Sequence, residues 1–152
     1  MAEWGAGPRR AAGAEFGEVL ALIRAEFAFM DGVVDPPSSV HRLTEADLAA
    51  GEVWVVGRPV AACAVFTPRP EVLYLGKLAV AAGARGRGLA RALVERAVAR
   101  AQEMGLGAVE VQVRVELTGN LAAFAAMGFV ETGRTAHPGF ARATSVTMRR
   151  AV

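Results

Sequence analysis

The sequence predicts an α/β domain of the α+β type, in which strands and helices share one packed unit. Three observations carry that expectation. An apolar stripe at helical spacing runs from Leu89 to Met104, a strictly alternating segment follows at 109–116, and two apolar runs at 53–56 and 60–66 flank Gly57-Arg58-Pro59. The first has the period of a helix buried on one side, the second the two-residue period of a strand, and the third the pattern of a β-hairpin. With 152 residues, 53% of them hydrophobic, the chain suffices for one domain with a proper core, so 1–152 is read as a single domain.

Taken in order, the first candidate element is a short edge strand near 6–10. Phe16, Val19, Leu20, Ile23 and Phe27 then recur at three- and four-residue spacing and predict a helix from Ala14 to about Phe29, stopped by Asp31-Gly32. The segment Asp35-Pro36-Pro37-Ser38-Ser39 excludes helix and central strand, because consecutive prolines remove donors and fix the backbone. Thr44 followed by Asp47 reads as an N-cap with an acidic first turn, opening a short helix from Glu45 to about Ala50.

After the hairpin, Thr67-Pro68-Arg69-Pro70 is expected to interrupt, and 72–80 to form a long strand. The next helix sets Leu89, Leu93, Val94, Ala97, Ala101 and Met104 on one side and Arg91, Glu95, Arg96, Arg100 and Glu103 on the other, closing at Gly105. In the alternating segment Val109, Val111, Val113 and Val115 share one face, and Glu110, Gln112, Arg114 and Glu116 the other. That polar face fits a half-solvated edge strand or the lining of a cleft. A short helix at 120–127 capped by Gly128, a strand at 129–131, a loop at His137-Pro138-Gly139-Phe140 and a strand at 144–149 complete the chain.

Composition narrows the partners. A net charge of +2 with a pI near 9.3 lacks the basic stripe of a nucleic-acid binder. The single cysteine, Cys63, excludes an intrachain disulfide and a cysteine-based metal cluster, and its apolar neighbours suggest a buried strand thiol. No apolar run approaches the ~18 residues of a membrane span. A cytoplasmic protein with no metal, nucleic-acid or membrane partner is therefore expected. Lys77, the only lysine, reads as a solvated strand residue.

Chemistry concentrates where the strand at 72–80 runs into a glycine- and arginine-rich turn and straight on into a helix. Gly86 and Gly88 allow close backbone approach, and the first helical turn leaves N–H donors without internal partners. With the helix dipole and Arg85, Arg87 and Arg91, they favour a phosphorylated ligand. No Gly-Lys-Ser/Thr follows, and the glycine spacing is not that of a dinucleotide-binding turn.

The turn instead resembles the Arg/Gln-x-x-Gly-x-Gly/Ala signature of the GNAT superfamily of N-acetyltransferases, matched by Arg85, Gly88 and Ala90. A second segment, Asn120 through Phe124 to Gly128-Phe129, is similar to that family's Asn…Tyr-x-x-x-Gly-Phe motif. The resemblance implies a central mixed, mostly antiparallel sheet flanked by helices, with a splayed strand pair that binds acetyl-CoA. It implies acetyl transfer to a primary amine, on a small molecule or an amino terminus, by direct attack in a ternary complex. Leu78, Ala79 and Val80 would meet the pantetheine arm, and Arg85, Gly86, Arg87, Gly88, Leu89, Ala90 and Arg91 the pyrophosphate. Asn120 and Phe124 would lie further along the cosubstrate.

The chain departs from that pattern at Phe124, where many family members have a tyrosine that protonates the departing thiolate. A non-catalytic acyl-CoA-binding sensor is the alternative that this substitution raises. Tyr74, the only tyrosine, is a further catalytic candidate. Glu110, Glu116, Glu71, Asp31 and His137 are candidates for the general base, with Glu110 and Glu116 preferred because their strand borders the expected cleft. By analogy with the family, loops carrying Asp31 and Ser38, and His137 and Phe140, supply the substrate walls. Their acids and aromatics fit a cationic amine. A homodimer is left open.

Overall fold

The computed structural model describes residues 7–152, so Ala6, where the first strand was expected to start, lies outside the described residues. Seven strands form one sheet: β1 (Arg9–Arg10), β2 (Glu52–Val56), β3 (Ala62–Pro68), β4 (Val72–Val80), β5 (Ala108–Arg114), β6 (Val130–Thr135) and β7 (Ser145–Ala151). Their order is β1-β2-β3-β4-β5-β7-β6. Every adjacent pair is antiparallel except β4 and β5, which are parallel. The expected mixed, mostly antiparallel sheet flanked by helices is what forms.

Four α-helices complete it: α1 (Phe16–Phe27), α2 (Glu45–Ala49), α3 (Leu89–Glu103) and α4 (Thr118–Ala126). The periodicity of α1 buries Val19, Leu20 and Ile23, which with Leu48 of α2 cover Val53, Val55, Cys63 and Val65 on one side of the sheet. The stripe of α3 buries Leu93, Val94, Ala97 and Ala101 against Leu73, Leu75, Val109, Val111 and Val113 on the other. Each large aliphatic side chain so buried contributes about 1.5–3 kcal/mol. Helix α2 is short but well started: the Thr44 hydroxyl accepts from the Asp47 N–H, and the Asp47 carboxylate accepts from the Thr44 N–H at 2.9 Å. No helix among the described residues is long and apolar enough to cross a membrane.

Three elements differ from expectation. β3 does not stop at Thr67 but runs through Pro68, which sits opposite Leu73 as the strand's last residue, where a missing donor costs the ladder least. β5 is not an edge strand, since it pairs with β4 on one side and along its whole length with β7 on the other. β6 extends to Thr135, beyond the apolar signal, because as an exposed edge strand paired only with β7 it has little to bury.

The junction of β4 and β5 sets up the site. Their parallel pairing covers only Val72–Tyr74 against Ala108–Glu110; beyond that the two strands part. On the β3 side, Cys63 lies opposite Ala79 and Val65 opposite Gly76, so two steps along β3 match three along β4. The surplus residue is a β-bulge centred on Lys77, whose φ of 54° lies in the left-handed region. That conformation costs a lysine about 1–2 kcal/mol. Lys77 is thus a half-buried bulge residue, not a solvated one, and burial lowers its ammonium pKa. Cys63 is fully buried opposite the bulge, with its thiol pKa pushed up to about 12 by that burial.

Candidate active site

The parted strands bound a cleft of about 1180 Å³ that takes Tyr74 to Val80 from β4 and Val111 to Arg114 from β5. One edge of β4 is occupied by β3, while past Tyr74 its other edge has no strand partner among the described residues. Leu78, Ala79 and Val80 all line the cleft, so the three residues expected to meet a pantetheine arm lie along that edge.

β4 then leads into the glycine loop. Gly86 and Gly88 both have φ of 76°, and Gly88 is the residue from which α3 starts. A Cβ at either position would meet nothing within 4 Å, so the fold needs glycine there for its backbone angle and leaves the adjoining space open. No side chain caps α3. The helical ladder begins with the Ala92 N–H donating to the Gly88 carbonyl at 2.9 Å, which leaves the earlier N–H groups of Leu89, Ala90 and Arg91 for an outside acceptor. Leu89 itself is buried in the core, so it offers backbone only. Arg87 and Arg91 are exposed and pair with no carboxylate among the described residues, whereas Arg85 is engaged by Glu26.

Deeper in the cleft, Phe124 is half-buried with its ring edge-to-face on Phe129 at 5.3 Å, and Asn120 lines the wall one turn before it. The Tyr74 ring lies over Gly76, where a Cβ would come within 3.0 Å of its Cε2. The Arg69 guanidinium stacks 4.1 Å above the same ring. Burial holds the Tyr74 phenol above its ordinary pKa, so it stays protonated near neutrality.

Ser38, His137 and Phe140 also reach the cleft. The backbone N–H of His137 donates to the Thr144 hydroxyl at 2.9 Å, and its Nδ1 contacts the same oxygen, which fixes the ring and leaves Nε2 with no protein partner among the described residues. Ser38 accepts from the Val40 N–H at 3.2 Å and so holds the turn that follows the prolines.

The carboxylates sit elsewhere. Glu110, with its side chain only 8% exposed, is held by Arg149 Nε at 2.8 Å and Arg69 Nη1 at 3.4 Å and does not line the cleft. Glu116 is likewise outside the lining: it accepts from the Asp35 N–H at 3.2 Å and faces Arg142 at 3.8 Å. Burial opposes its charge, but its own backbone N–H and that of Asp35, with the nearby Arg114 and Arg142, hold its pKa below the usual carboxylate value. Asp31 turns to His41 at 2.8 Å, away from the cleft, and Glu71 also lies outside it. The acids expected to draw a cationic amine are therefore committed to other partners.

Sequence reasoning passed over Gln112, Arg114 and Ser145, all of which line the cleft. Arg114 donates through Nη2 to the Pro36 carbonyl, tying β5 to the proline loop. Its signal was present in the polar face of the alternating strand, but only the carboxylates of that face drew attention.

A parallel strand pair that opens beside an uncapped helix N-terminus is the arrangement that the resemblance to the GNAT superfamily implies. A model of the acetyltransferase (GNAT) family matches residues 19–129, and the chain belongs to that family. Comparison with curated proteins finds no matching sequence. Among solved structures, a GNAT-family acetyltransferase from Staphylococcus aureus Mu50 superposes with a TM-score of 0.72 at 12% identity, over 95% of this chain and 98% of that one. The ribosomal-protein-S18-alanine N-acetyltransferase from Escherichia coli gives 0.66 at 17% identity, over 95% and 92%. A GNAT-family acetyltransferase from Elizabethkingia anophelis with acetyl-CoA bound gives 0.60 at 16% identity, over 78% and 86%. At these identities the likeness establishes the fold.

Proposed function

We propose that the protein transfers the acetyl group of acetyl-CoA to a primary amine, on a small molecule or an amino terminus, by direct attack in a ternary complex. The observation that carries this reading is the parting of β4 and β5 next to the open glycine loop. The amides of pantetheine can add to the free edge of β4 at Leu78, Ala79 and Val80 as another strand would. The pyrophosphate suits the N–H groups of Leu89, Ala90 and Arg91, with Arg85, Arg87, Arg91 and the bare backbone of Gly86 and Gly88 around it. Family membership and the acetyl-CoA in the E. anophelis relative support the same cosubstrate.

The residues divide the work as follows. Asn120 and Phe124 border the cosubstrate's reactive end. Backbone N–H groups between Leu78 and Val80 are donors for the thioester oxygen as negative charge builds on it. The amine nitrogen bonds to the thioester carbon and the carbon–sulfur bond breaks. His137 is assigned as acceptor of the ammonium proton, because it lines the cleft and its Nε2 has no protein partner among the described residues, while Glu110 and Glu116 do not line it. Tyr74 is assigned as donor to the departing thiolate, the part that Phe124 cannot play. A thiol has a reference pKa of about 8.5, so this donor assists rather than decides the reaction. Holding both reactants in one cleft contributes the larger share.

The test is release of free thiol from acetyl-CoA across a panel of amines, with acetyl-CoA affinity measured by calorimetry. Amine-stimulated release supports the transferase. Tight binding with no stimulated release favours the acyl-CoA sensor instead, the reading that Phe124 in place of tyrosine raises.

A further inference from the structure

The charges around the cleft are unbalanced. Arg42, Lys77, Arg85 and Arg114 line it against one carboxylate, Glu26, and Glu26 is paired with Arg85. The acids of the neighbouring loops lie outside the cleft lining and face other groups: Asp31 faces His41, Asp35 faces Arg142 at 3.3 Å, and Glu116 Oε2 takes the Asp35 N–H and faces Arg142, while Glu116 Oε1 is buried without a partner. Among the described residues, Arg42, Lys77 and Arg114 have no carboxylate within ion-pair distance.

A pyrophosphate at the glycine loop does not account for Arg114. Val109, Val111 and Val113 of β5 pack beneath α3, so by strand alternation Arg114 belongs to the opposite face of the sheet. There it reaches the carbonyl of Pro36 in the loop after α1, directly across from Ser145 on β7. The glycine loop opens α3, on the other face. Arg114 thus stands on the wall built from the proline and His137 loops, where the acceptor would sit. Its Nη2 is taken by the Pro36 carbonyl and its Nε is buried without a partner, and no carboxylate among the described residues meets the guanidinium's charge within ion-pair distance.

We infer that the acceptor is an amine that also carries a carboxylate, an α-amino acid or a compound like it, bound by Arg114 on that wall of the cleft and by Arg42, an exposed residue of the lining. This rests on the transferase reading and narrows it. A dication or polyamine would meet three cations with no carboxylate at ion-pair distance and, in the cleft lining, no acid but the paired Glu26. The same positive field that holds the carboxylate disfavours the ammonium form of the amine, which eases the proton loss that attack requires.

Binding and turnover separate the inference from the reading beneath it. Matched pairs, phenylalanine with phenethylamine and alanine with ethylamine, are titrated calorimetrically into the full chain saturated with CoA. The carboxylated member of each pair is expected to bind about tenfold tighter or more, as a charge-assisted contact to arginine supplies. Arg114→Met abolishes the preference, and Arg42→Met, at an exposed position, reduces it even where the first variant folds poorly. Equal affinities in the wild type, or a preference untouched by both substitutions, overturns the inference. A preference that is present and arginine-dependent, with no thiol release from acetyl-CoA for any amine, leaves the anion site standing and removes the transferase reading alone.

Discussion

Gly88→Asp separates anion binding from folding more cleanly than any other single change. A Cβ at this position meets nothing within 4 Å, so the steric cost is nil. The backbone cost comes from φ of 76°, about 1–2 kcal/mol for an ordinary residue and less for aspartate, whose short polar side chain tolerates the left-handed region. Against it stands a carboxylate at the start of a 15-residue helix with no other cap, worth about 0.3–1 kcal/mol through the dipole. The net change in stability is therefore expected within about 1 kcal/mol. CoA binding is expected to suffer far more. A carboxylate about 4 Å from a phosphate oxygen repels it by about 1 kcal/mol in water and about 4 kcal/mol near a protein surface. For this exposed loop a loss of about 2–3 kcal/mol follows, a roughly 30- to 150-fold weaker dissociation constant. Calorimetry with CoA and a thermal melt on the same sample decide it. An unchanged affinity refutes the assignment of the loop, and an affinity loss matched by collapse of the melt refutes the claim that the site and the fold are separable here.

Other expectations follow from the same geometry. Tyr74→Phe lowers kcat about tenfold near neutral pH, less than the roughly hundredfold or more usual for a general acid because a thiolate leaves fairly well on its own, and Phe124→Tyr leaves the wild-type rate within about twofold; a large gain in the latter would show that no donor was in place. Glu110→Gln destabilises by about 1–2 kcal/mol in urea unfolding, because it strips the partner from two half-exposed arginines, and leaves turnover near wild type. A hundredfold drop in rate with the fold intact would instead return Glu110 to the role of base. Glu15 has its pKa lowered to about 2, chiefly by the Arg9 hydrogen bonds and then by the Ala12 N–H. Because the folded value is depressed, this contribution is fully present above the unfolded value of 4.5 and fades as pH falls from there towards 2. Wild type and Glu15→Gln should therefore differ in stability at pH 6 and converge near pH 2.

Much of this architecture was readable because period and punctuation coincided. β4 was bounded by Pro70 and the glycine turn, and α3 by Gly88 and Gly105, so its limits fell within a residue of expectation. The glycine loop at the start of α3 was legible for the same reason, since helix start signals are local. What stayed hidden depends on partners far along the chain. Glu110 looked free on a polar strand face until Arg69, 41 residues earlier, and Arg149, 39 residues later, closed over it. Asp31 looked like a substrate contact, yet His41 takes it. Arg114 showed its face but not its neighbour, because the Pro36 carbonyl that orients it lies 78 residues away. Lys77 gave no sign of a left-handed conformation, which only the mismatch between two paired strands imposes.

That mismatch changes the phase of a strand. Leu73 and Leu75 look into the core beneath α3, whereas Ala79, also odd-numbered, looks into the core beneath α1. Leu78 and Val80 have taken over the first side. β4 therefore carries a half-period slip, the equivalent of a dislocation in a crystal row. Side-chain substitutions cannot heal such a defect; only adding or removing a residue can. The parting of β4 from β5 begins just before this slip, so the line of the cleft beyond it depends on a count of residues, whereas the turn that follows depends on the identity of Gly86 and Gly88.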